Sequence, residues 1–523
     1  MSKSYNASSF RGYHQRMLRV IIIKPSKYGP SGQVERFKRG FMPNSTVPYL
    51  RSMTPQSIDG VPIETIAIDE YVETDLRYLD LLRKPGVPTL LALVGVQSHQ
   101  FHRSLDLAAL ARGNGINSVI GGPHVMTCDT TNLHGRGISF ALAEAETVWA
   151  SILHDAVHGE LQQVYGRDQR WAQELDAPVL IPPSKRNLRR YVVPMLGIYP
   201  ARGCPFTCNF CSVIKIAGRQ IRSQSIETTM ESLRKAKQAG VRFVMFTSDN
   251  FNKYSEASEL LKEVIKEKLH IPFFVQCDTQ VSRQEEFVNL LARAGCFEIF
   301  VGVESFSRRT LLAAHKAQNH PSTYQEIHKL CARHGVVSHF SNIIGFPDDT
   351  AASIREHLEI LRGMDPDVAS FYILTPIPGT EQYDDFLSAG WINEPNLDRF
   401  DATTTTWQHP HLTAAELRDL LFECYRKFFS TRHIVRTAVR TLFHRQPDAG
   451  YLPYFGQPVF SRFSAALKMH PMSGGIGKVR LDSDSDYRPM RRERFGVDLV
   501  PLPNSLALSK ADAEFNRRVK IAI

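Results

Sequence analysis

Cysteine is scarce in this chain: eight in 523 residues, far too few for a disulfide scaffold. Long apolar runs are missing as well. The first, Leu18 to Ile23, follows a polar start and falls well short of the ~20 residues of a membrane span. No secretory leader and no membrane span are expected, so the cytoplasm is the expected compartment. No block of Lys and Arg stands out, and a net charge of +10 is modest for this length. Nucleic acid is therefore not an expected partner. The mild positive balance suits an acidic electron donor or an anionic substrate. Histidine is absent between His14 and His99.

What is present is two rounds of strand and helix. The length calls for two to four domains. In residues 1–155, RVIIIK (19–24), PIETIAID (62–69) and PTLLALVGV (88–96) are the near-continuous apolar runs of a parallel sheet. A helix follows from Phe101, with Leu107, Leu110 and Ala111 on one face and Gly113 and Gly115 at its stop. NSVIGG (117–122) and ISFALAEAE (138–146) complete a doubly wound, Rossmann-like α/β domain. Such sheets take ligands at the carboxyl ends of their strands. Residues 156–190 read as a polar connector. From 191 to 400 the rhythm resumes with six strands interleaved with helices, a partial (β/α)6 barrel. Gly240, Gly295 and Gly335 are read as helix stops. Ser282 and Glu285 have capping-box spacing, and Ile226, Met230 and Leu233 give one apolar helix face. Residues 401–523 read as a mostly helical or irregular C-terminal region. TAAELRDLLFECYRKFF (413–429) is its clearest helix, and RPMRRERFGVD (488–498) is basic and loop-like.

Three of the eight cysteines fall together in GIYPARGCPFTCNFCSVIK (197–215), just after the first barrel strand: Cys204, Cys208 and Cys211. A structural zinc site wants four ligands, and no fourth Cys or His is close by in sequence. Zinc completed by a distant ligand is the alternative. Three thiolates in one loop suit a [4Fe-4S] cluster with one iron left open. Cys277, Cys296, Cys331 and Cys424 read as ordinary buried cysteines.

C-P-F-T-C-N-F-C, with an aromatic residue before the last Cys, resembles the signature of the radical S-adenosylmethionine (SAM) enzymes. The resemblance implies that the open iron chelates SAM and that the reduced cluster splits it to methionine and a 5′-deoxyadenosyl radical. It implies SAM contacts at Ser248, Asp249 and Asn250 after the second barrel strand, where the more usual Gly-Gly-Glu is absent. It also implies contacts at Glu304, with Ser305 beside it, and at Asn342, Ile344 and Gly345 in NIIGFP. IPGTE (377–381) recurs in relatives. A barrel-rim ion pair is the competing role for Glu304.

A doubly wound domain ahead of this barrel resembles the cobalamin-binding subfamily of radical SAM enzymes. VIGGPH then supplies Gly121, Gly122 and Pro123 for the nucleotide tail of cobalamin, and GVQSHQ supplies Gly95, Gln97 and Ser98. ALAEAE (141–146) replaces the more usual G-E-G-E. No histidine stands in the loop after the first strand, so cobalt's lower face is expected to lack one from there. His99, His102 and His124 are nearer the crevice and read as ordinary hydrogen-bonded residues, with ligation of cobalt by one of them the alternative. The basic, aromatic Lys24–Arg39 loop reads equally as reaching the lower face or the substrate and as a solvated loop. The family implies a methyltransferase: one SAM methylates cob(I)alamin, a second yields the radical, and the substrate radical takes the methyl group. The expected substrate is a small molecule, and the expected electron donor a flavodoxin or ferredoxin. The general acid or base cannot be read; Tyr372 and TWQHPH are candidate substrate neighbours. The runner-up is a non-methylating rearrangement or cyclisation with cobalamin as redox carrier or unused. A tRNA methylthiotransferase is disfavoured, because only Cys128 precedes Cys204. A cofactor-binding sensor is the distant third.

Overall fold

Alternation along the first apolar run sets the architecture of the N-terminal half. In the computed structural model, which describes residues 17–175, 177–444, 456–481, 499–517 and 519, strand β1 (Leu18–Lys24) sends Ile21 and Ile23 to one core and Val20 and Ile22 to another. Period-two side chains with both faces apolar require helices on both faces. The helix Phe101–Arg112 packs into one core, and the helices Thr46–Met53 and Ala145–His158 into the other.

The remaining elements follow in chain order. Strand β2 (Arg36–Gly40) stands apart from this sheet. Strands β3 (Ser57–Ile58) and β4 (Val61–Asp69) form a hairpin, followed by β5 (Thr89–Leu93), β6 (Asn117–Gly121), β7 (Ile138–Ala141) and β8 (Val164–Tyr165). The sheet order is β3-β4-β1-β5-β6-β7-β8. β1 has β4 on one side and β5 on the other, so the winding reverses beside it. That reversal opens a crevice beyond the carboxyl ends of the strands. β8 carries the sheet into the 156–190 segment, where Arg170 and Trp171 are also buried, so that segment is more than a polar connector.

The second unit contains β9 (Met195–Ile198), the short antiparallel pair β10 (Ala201–Arg202) and β11 (Arg222–Ser223), then β12 (Phe243–Phe246), β13 (Phe273–Cys277), β14 (Cys296–Glu304), β15 (Val337–Ile344) and β16 (Val368–Ile373). Six of these run parallel in the order β16-β15-β14-β13-β12-β9, an open barrel. Gly240, Gly295 and Gly335 all take positive φ after helices, as helix stops do. The Ser282–Glu285 capping box does not form. Ser282 lies inside a 3-10 turn, Thr279–Arg283, which Asp278 caps instead, and the following helix Glu285–Ala294 has no side-chain cap.

The C-terminal region closes both units. The helix Ala414–Phe428 has a complete capping box from Thr413 and Glu416, and feeds Leu417, Leu421 and Tyr425 into the barrel core. β17 (Gly475–Val479) pairs antiparallel with β2, so the end of the Lys24–Arg39 segment is a strand held by the tail. The helix Lys510–Arg517 returns to the cysteine loop, where Asn516 accepts from the Arg219 amide at 2.9 Å. The basic stretch 488–498 lies outside the described residues.

Candidate cluster, SAM and cobalamin sites

The three cysteines lie where the chain leaves β10. Gly203 sets the path: its φ is +104°, and a Cβ there would meet the Gln220 carbonyl oxygen at 2.1 Å. Its amide donates to Asp249 Oδ2 at 2.8 Å, which ties the loop to the end of β12. The Cys204 amide donates to the Gly218 carbonyl at 3.2 Å, and the Cys211 amide to the Cys208 carbonyl at 3.2 Å. Side chains from other barrel loops face the sulfurs. Gln318 Nε2 is 3.5 Å from Cys208 Sγ, and Asn250 Nδ2 is 4.0 Å from Cys204 Sγ.

Burial pushes the Cys204 and Cys211 thiols up to about 12. A cation is what makes thiolates of such groups. Three soft donors with N–H groups aimed at two of them fit an iron–sulfur cluster. Zinc fits less well. Ligands 2.3 Å from zinc stand about 3.8 Å apart. Among the described residues, no set of three ligand atoms within 4.8 Å of one another includes these cysteines.

Glu304 ends β14 with φ +62°, and its carboxylate holds Lys316 Nζ at 2.6 Å. Lys316 stands 5.7 Å from the Phe210 ring centroid, within the cysteine loop. Asn342 lies beside Glu304 in the sheet register and donates to the Phe340 and Ser370 carbonyls at 3.0 and 3.3 Å. Glu304, Ser305, Asn342 and Ile344 line one small hollow of about 20 Å³. Gly345, the next residue, is not on its lining; it has φ +81°, and its amide donates to Asp349 Oδ2 at 2.9 Å. Ser248 is buried at the end of β12. Asp249 faces elsewhere, into the space between the two units.

That space is a cavity of about 280 Å³. Gly95, Gly121, Gly122 and Pro123 come from the strand ends of the first sheet, and Tyr199, Arg202, Thr247 and Asp249 from the barrel. Leu93, Val119, Val148, Trp149 and Ile152 make its wall mostly apolar. At Gly121 a Cβ would meet nothing nearer than Ala141 Cβ at 3.4 Å, so backbone is bared to the cavity. Gly122 has a different reason to be glycine. With φ +133°, its Cβ would lie 2.2 Å from the Val96 nitrogen. An apolar, backbone-lined cavity beyond the carboxyl ends of β5, β6 and β7 fits part of a cobalamin, such as its nucleotide tail.

Two expected residues are not on this wall. Gln97 is exposed and caps the turn Ser98–Gln100. Ser98 is buried behind it, 3.0 Å from His124 Nδ1. Nor does any of the three histidines line the cavity. His102 is held by Asp398 at 2.9 Å and the Val500 amide at 3.2 Å. Burial pushes His124 down to about 3 and, with Lys27 nearby, His99 down to about 4. Lys27 itself binds Asp401 at 2.5 Å. Tyr372 packs against His470 with ring centroids 4.9 Å apart and planes tilted by 38°. In TWQHPH, Trp407 Nε1 donates to the Leu374 carbonyl and His409 Nε2 meets the Phe346 carbonyl, so this segment is packing.

Sequence reasoning missed the polar hinge between cavity and cysteine loop. Glu144 takes Arg222 on both carboxylate oxygens, and Glu146 holds Arg202 at 2.9 Å. Arg202 lies over the rings of Tyr49 and Tyr199 at 5.1 and 4.9 Å. The signal was the pair of acids in ALAEAE at the start of a helix, where carboxylates are favoured.

Comparison with known proteins agrees with this geometry. Residues 198–361 match the model of the radical SAM superfamily. The chain is 25% identical over 329 residues to bacteriochlorophyllide d C-8(2)-methyltransferase of Chlorobaculum tepidum, covering 59% of this chain and 71% of that protein. It is 24% identical over 446 residues to an uncharacterised methyltransferase of Pyrococcus horikoshii, covering 79% and 93%. The fold is similar to that of the radical SAM methyltransferase TsrM from Kitasatospora setae, solved with cobalamin and a [4Fe-4S] cluster. Its TM-score is 0.57 at 16% identity, over 72% of this chain and 78% of that one.

Proposed function

We propose that this chain, which carries a radical SAM domain behind a cobalamin-type α/β domain, is a cobalamin-dependent radical SAM methyltransferase acting on a small molecule. The observation that carries the reading is a shared wall. Asp249 and Arg202 border the cavity between the units, and Asp249 also fixes the amide of Gly203, next to Cys204. A group in the cavity and a cluster on the cysteines would therefore work on one substrate between them.

When bound, the cluster and SAM supply a 5′-deoxyadenosyl radical and the corrinoid a transferable methyl group. The chain's own residues hold and orient. Cys204, Cys208 and Cys211 ligate iron. Glu304 and Asn342 hold SAM from the ends of β14 and β15. Gly121 lets the corrinoid's nucleotide tail lie against backbone, with Gly95 and Gly122 on the same wall. The Glu144–Arg222 and Glu146–Arg202 pairs keep the two units in register and exclude water from the seam. No helix of the described residues is long and apolar enough to cross a membrane. A cytoplasmic site of action, with flavodoxin or ferredoxin as electron donor, completes the proposal.

The test is the cofactor content of protein purified anaerobically from cobalamin-fed cells. About one corrinoid and four irons per chain support both cofactors and justify a search for methylated products. A full cluster with no corrinoid overturns the methyl-transfer route.

A further inference from the structure

The geometry points to a divalent-metal site on the outer face of the first unit, made by Asp59, His154 and His158, for a cation of the Zn²⁺ class. Asp59 Oδ2 lies 3.6 Å from His154 Nε2 and 3.6 Å from His158 Nε2. These separations are longer than an ordinary hydrogen bond. They match the spacing between neighbouring ligands of one tetrahedral cation: with donors at 2.0–2.1 Å, that edge is about 3.4 Å.

Three independent features hold the donors in place. The histidines are one turn apart at the end of the helix Ala145–His158, with ring centroids 4.4 Å apart and planes at 32°. That spacing puts both on one helix face. Each Nδ1 already has a partner. His158 Nδ1 donates to the His154 carbonyl at 2.9 Å, and His154 Nδ1 is 3.4 Å from Asp155 Oδ1. Asp155 is itself steadied by Tyr165 and Gln162 at 2.8 and 3.1 Å. With Nδ1 occupied, the Nε2 lone pairs face the carboxylate, the arrangement metal-bound imidazoles have. Asp59 is aimed by its turn. Asp59 and Gly60, with φ +47° and +77°, form the two-residue turn joining β3 to β4, a mirror-type turn whose geometry leaves little freedom.

Two nitrogens and one oxygen select Zn²⁺, Co²⁺, Ni²⁺ or Cu²⁺ over Mg²⁺ and Ca²⁺, which prefer all-oxygen sets. The three residues are exposed, so water can fill the fourth position. Ile152 of the same helix is buried on the cavity wall, whereas Asp59, His154 and His158 are exposed and none of them lines the cavity. The site is therefore separate from the cavity, and the bound ion would clip the β3–β4 hairpin to the far end of the helix that begins there.

The test is calorimetric titration of cluster-replete protein with Zn²⁺ alone, with cobalt absorption as a second readout. Expected is one saturable site per chain and intense tetrahedral Co²⁺ bands. Asp59→Asn, which suits the same left-handed turn, weakens binding at least tenfold, and the His154→Ala/His158→Ala double variant abolishes it. All variants keep the parent's iron content and melting temperature. No saturable site in the parent, or equal affinity in the double variant, overturns the assignment and leaves an ordinary His–Asp cluster.

Discussion

Arg222 of the barrel unit grips Glu144 of the first unit with two hydrogen bonds, 2.5 and 2.9 Å long, both groups being almost fully buried. Glu144 also accepts from the Ala172 amide at 3.0 Å. Removing one partner of such a pair strands a buried charge, at a cost of about 3–5 kcal/mol. Glu144→Ala should therefore lower the denaturation midpoint by an amount equivalent to about 3 kcal/mol. A Glu144→Leu/Arg222→Leu double variant should lose less than the sum of the single variants, which a double-mutant cycle measures directly.

Cys208→Ala separates the two cofactors. The residue sits in the loop beyond β10, and no cysteine lines the cavity between the units. The variant should lose iron and all formation of 5′-deoxyadenosine while keeping its corrinoid. Persisting 5′-deoxyadenosine would remove the cluster assignment.

The two glycines of VIGGPH should behave differently. Gly122→Ala forces a Cβ against the Val96 nitrogen at 2.2 Å in a positive-φ conformation, so the protein should be grossly destabilised. Gly121→Ala meets only Ala141 Cβ at 3.4 Å. It should fold with a melting temperature near the parent's but bind corrinoid at least tenfold more weakly. Equal corrinoid binding by Gly121→Ala would take the nucleotide tail away from this wall.

These contrasts show what was legible in the chain. Strand runs such as RVIIIK and the glycine stops could be read because period, burial and left-handed conformation leave direct marks on residue choice. The cysteine loop could be read because spacing carries its chemistry. Long-range pairs leave no local mark of their partner, even where, as in ALAEAE, acids at a helix start are visible. Glu144 and Arg222 are 78 positions apart; nothing near either residue says that they meet. Gln97 and Ser98 stand close to Gly95, which lines the cavity, yet local capping holds them off that wall. The capping box at Ser282 failed because Asp278, four positions earlier, had already capped a turn.

Acid should destabilise the protein from neutral pH downward. Burial holds His99, His124 and His470 at about 4, 3 and 4, against an ordinary 6.5. The unfolded chain therefore takes up protons at these positions before the folded one does. Their contribution is full above about pH 6.5 and is lost as pH falls toward 4, at up to about 1.4 kcal/mol per pH unit for each histidine. Glu70, held down at about 2 chiefly by Arg103 and Arg36 against its burial, adds a further loss below about 4.5. Urea midpoints at pH 7.5 and 5.5 check this. A midpoint that is equal or higher at 5.5 would mean that these histidines are charged in the folded protein.

Glu304 has two competing roles, and one substitution distinguishes them. Its carboxylate pairs with Lys316 at 2.6 Å, as a rim ion pair would. Yet it stands on a left-handed residue at the end of β14, a conformation that costs a non-glycine residue energy and concentrates where function demands it. It also shares a hollow with Asn342 and Ile344. Glu304→Gln keeps shape and a hydrogen-bond acceptor while removing the charge that would meet the SAM ammonium. If Glu304 holds SAM, equilibrium dialysis on cluster-replete protein should show SAM affinity falling at least tenfold, with iron content unchanged. If it serves only Lys316, the melting temperature falls and SAM affinity stays, because a buried cation has lost its partner while the ligand has lost nothing. The first pattern is expected: Lys316 also stands over Phe210, within the cysteine loop, so the ion pair joins the end of β14 to that loop.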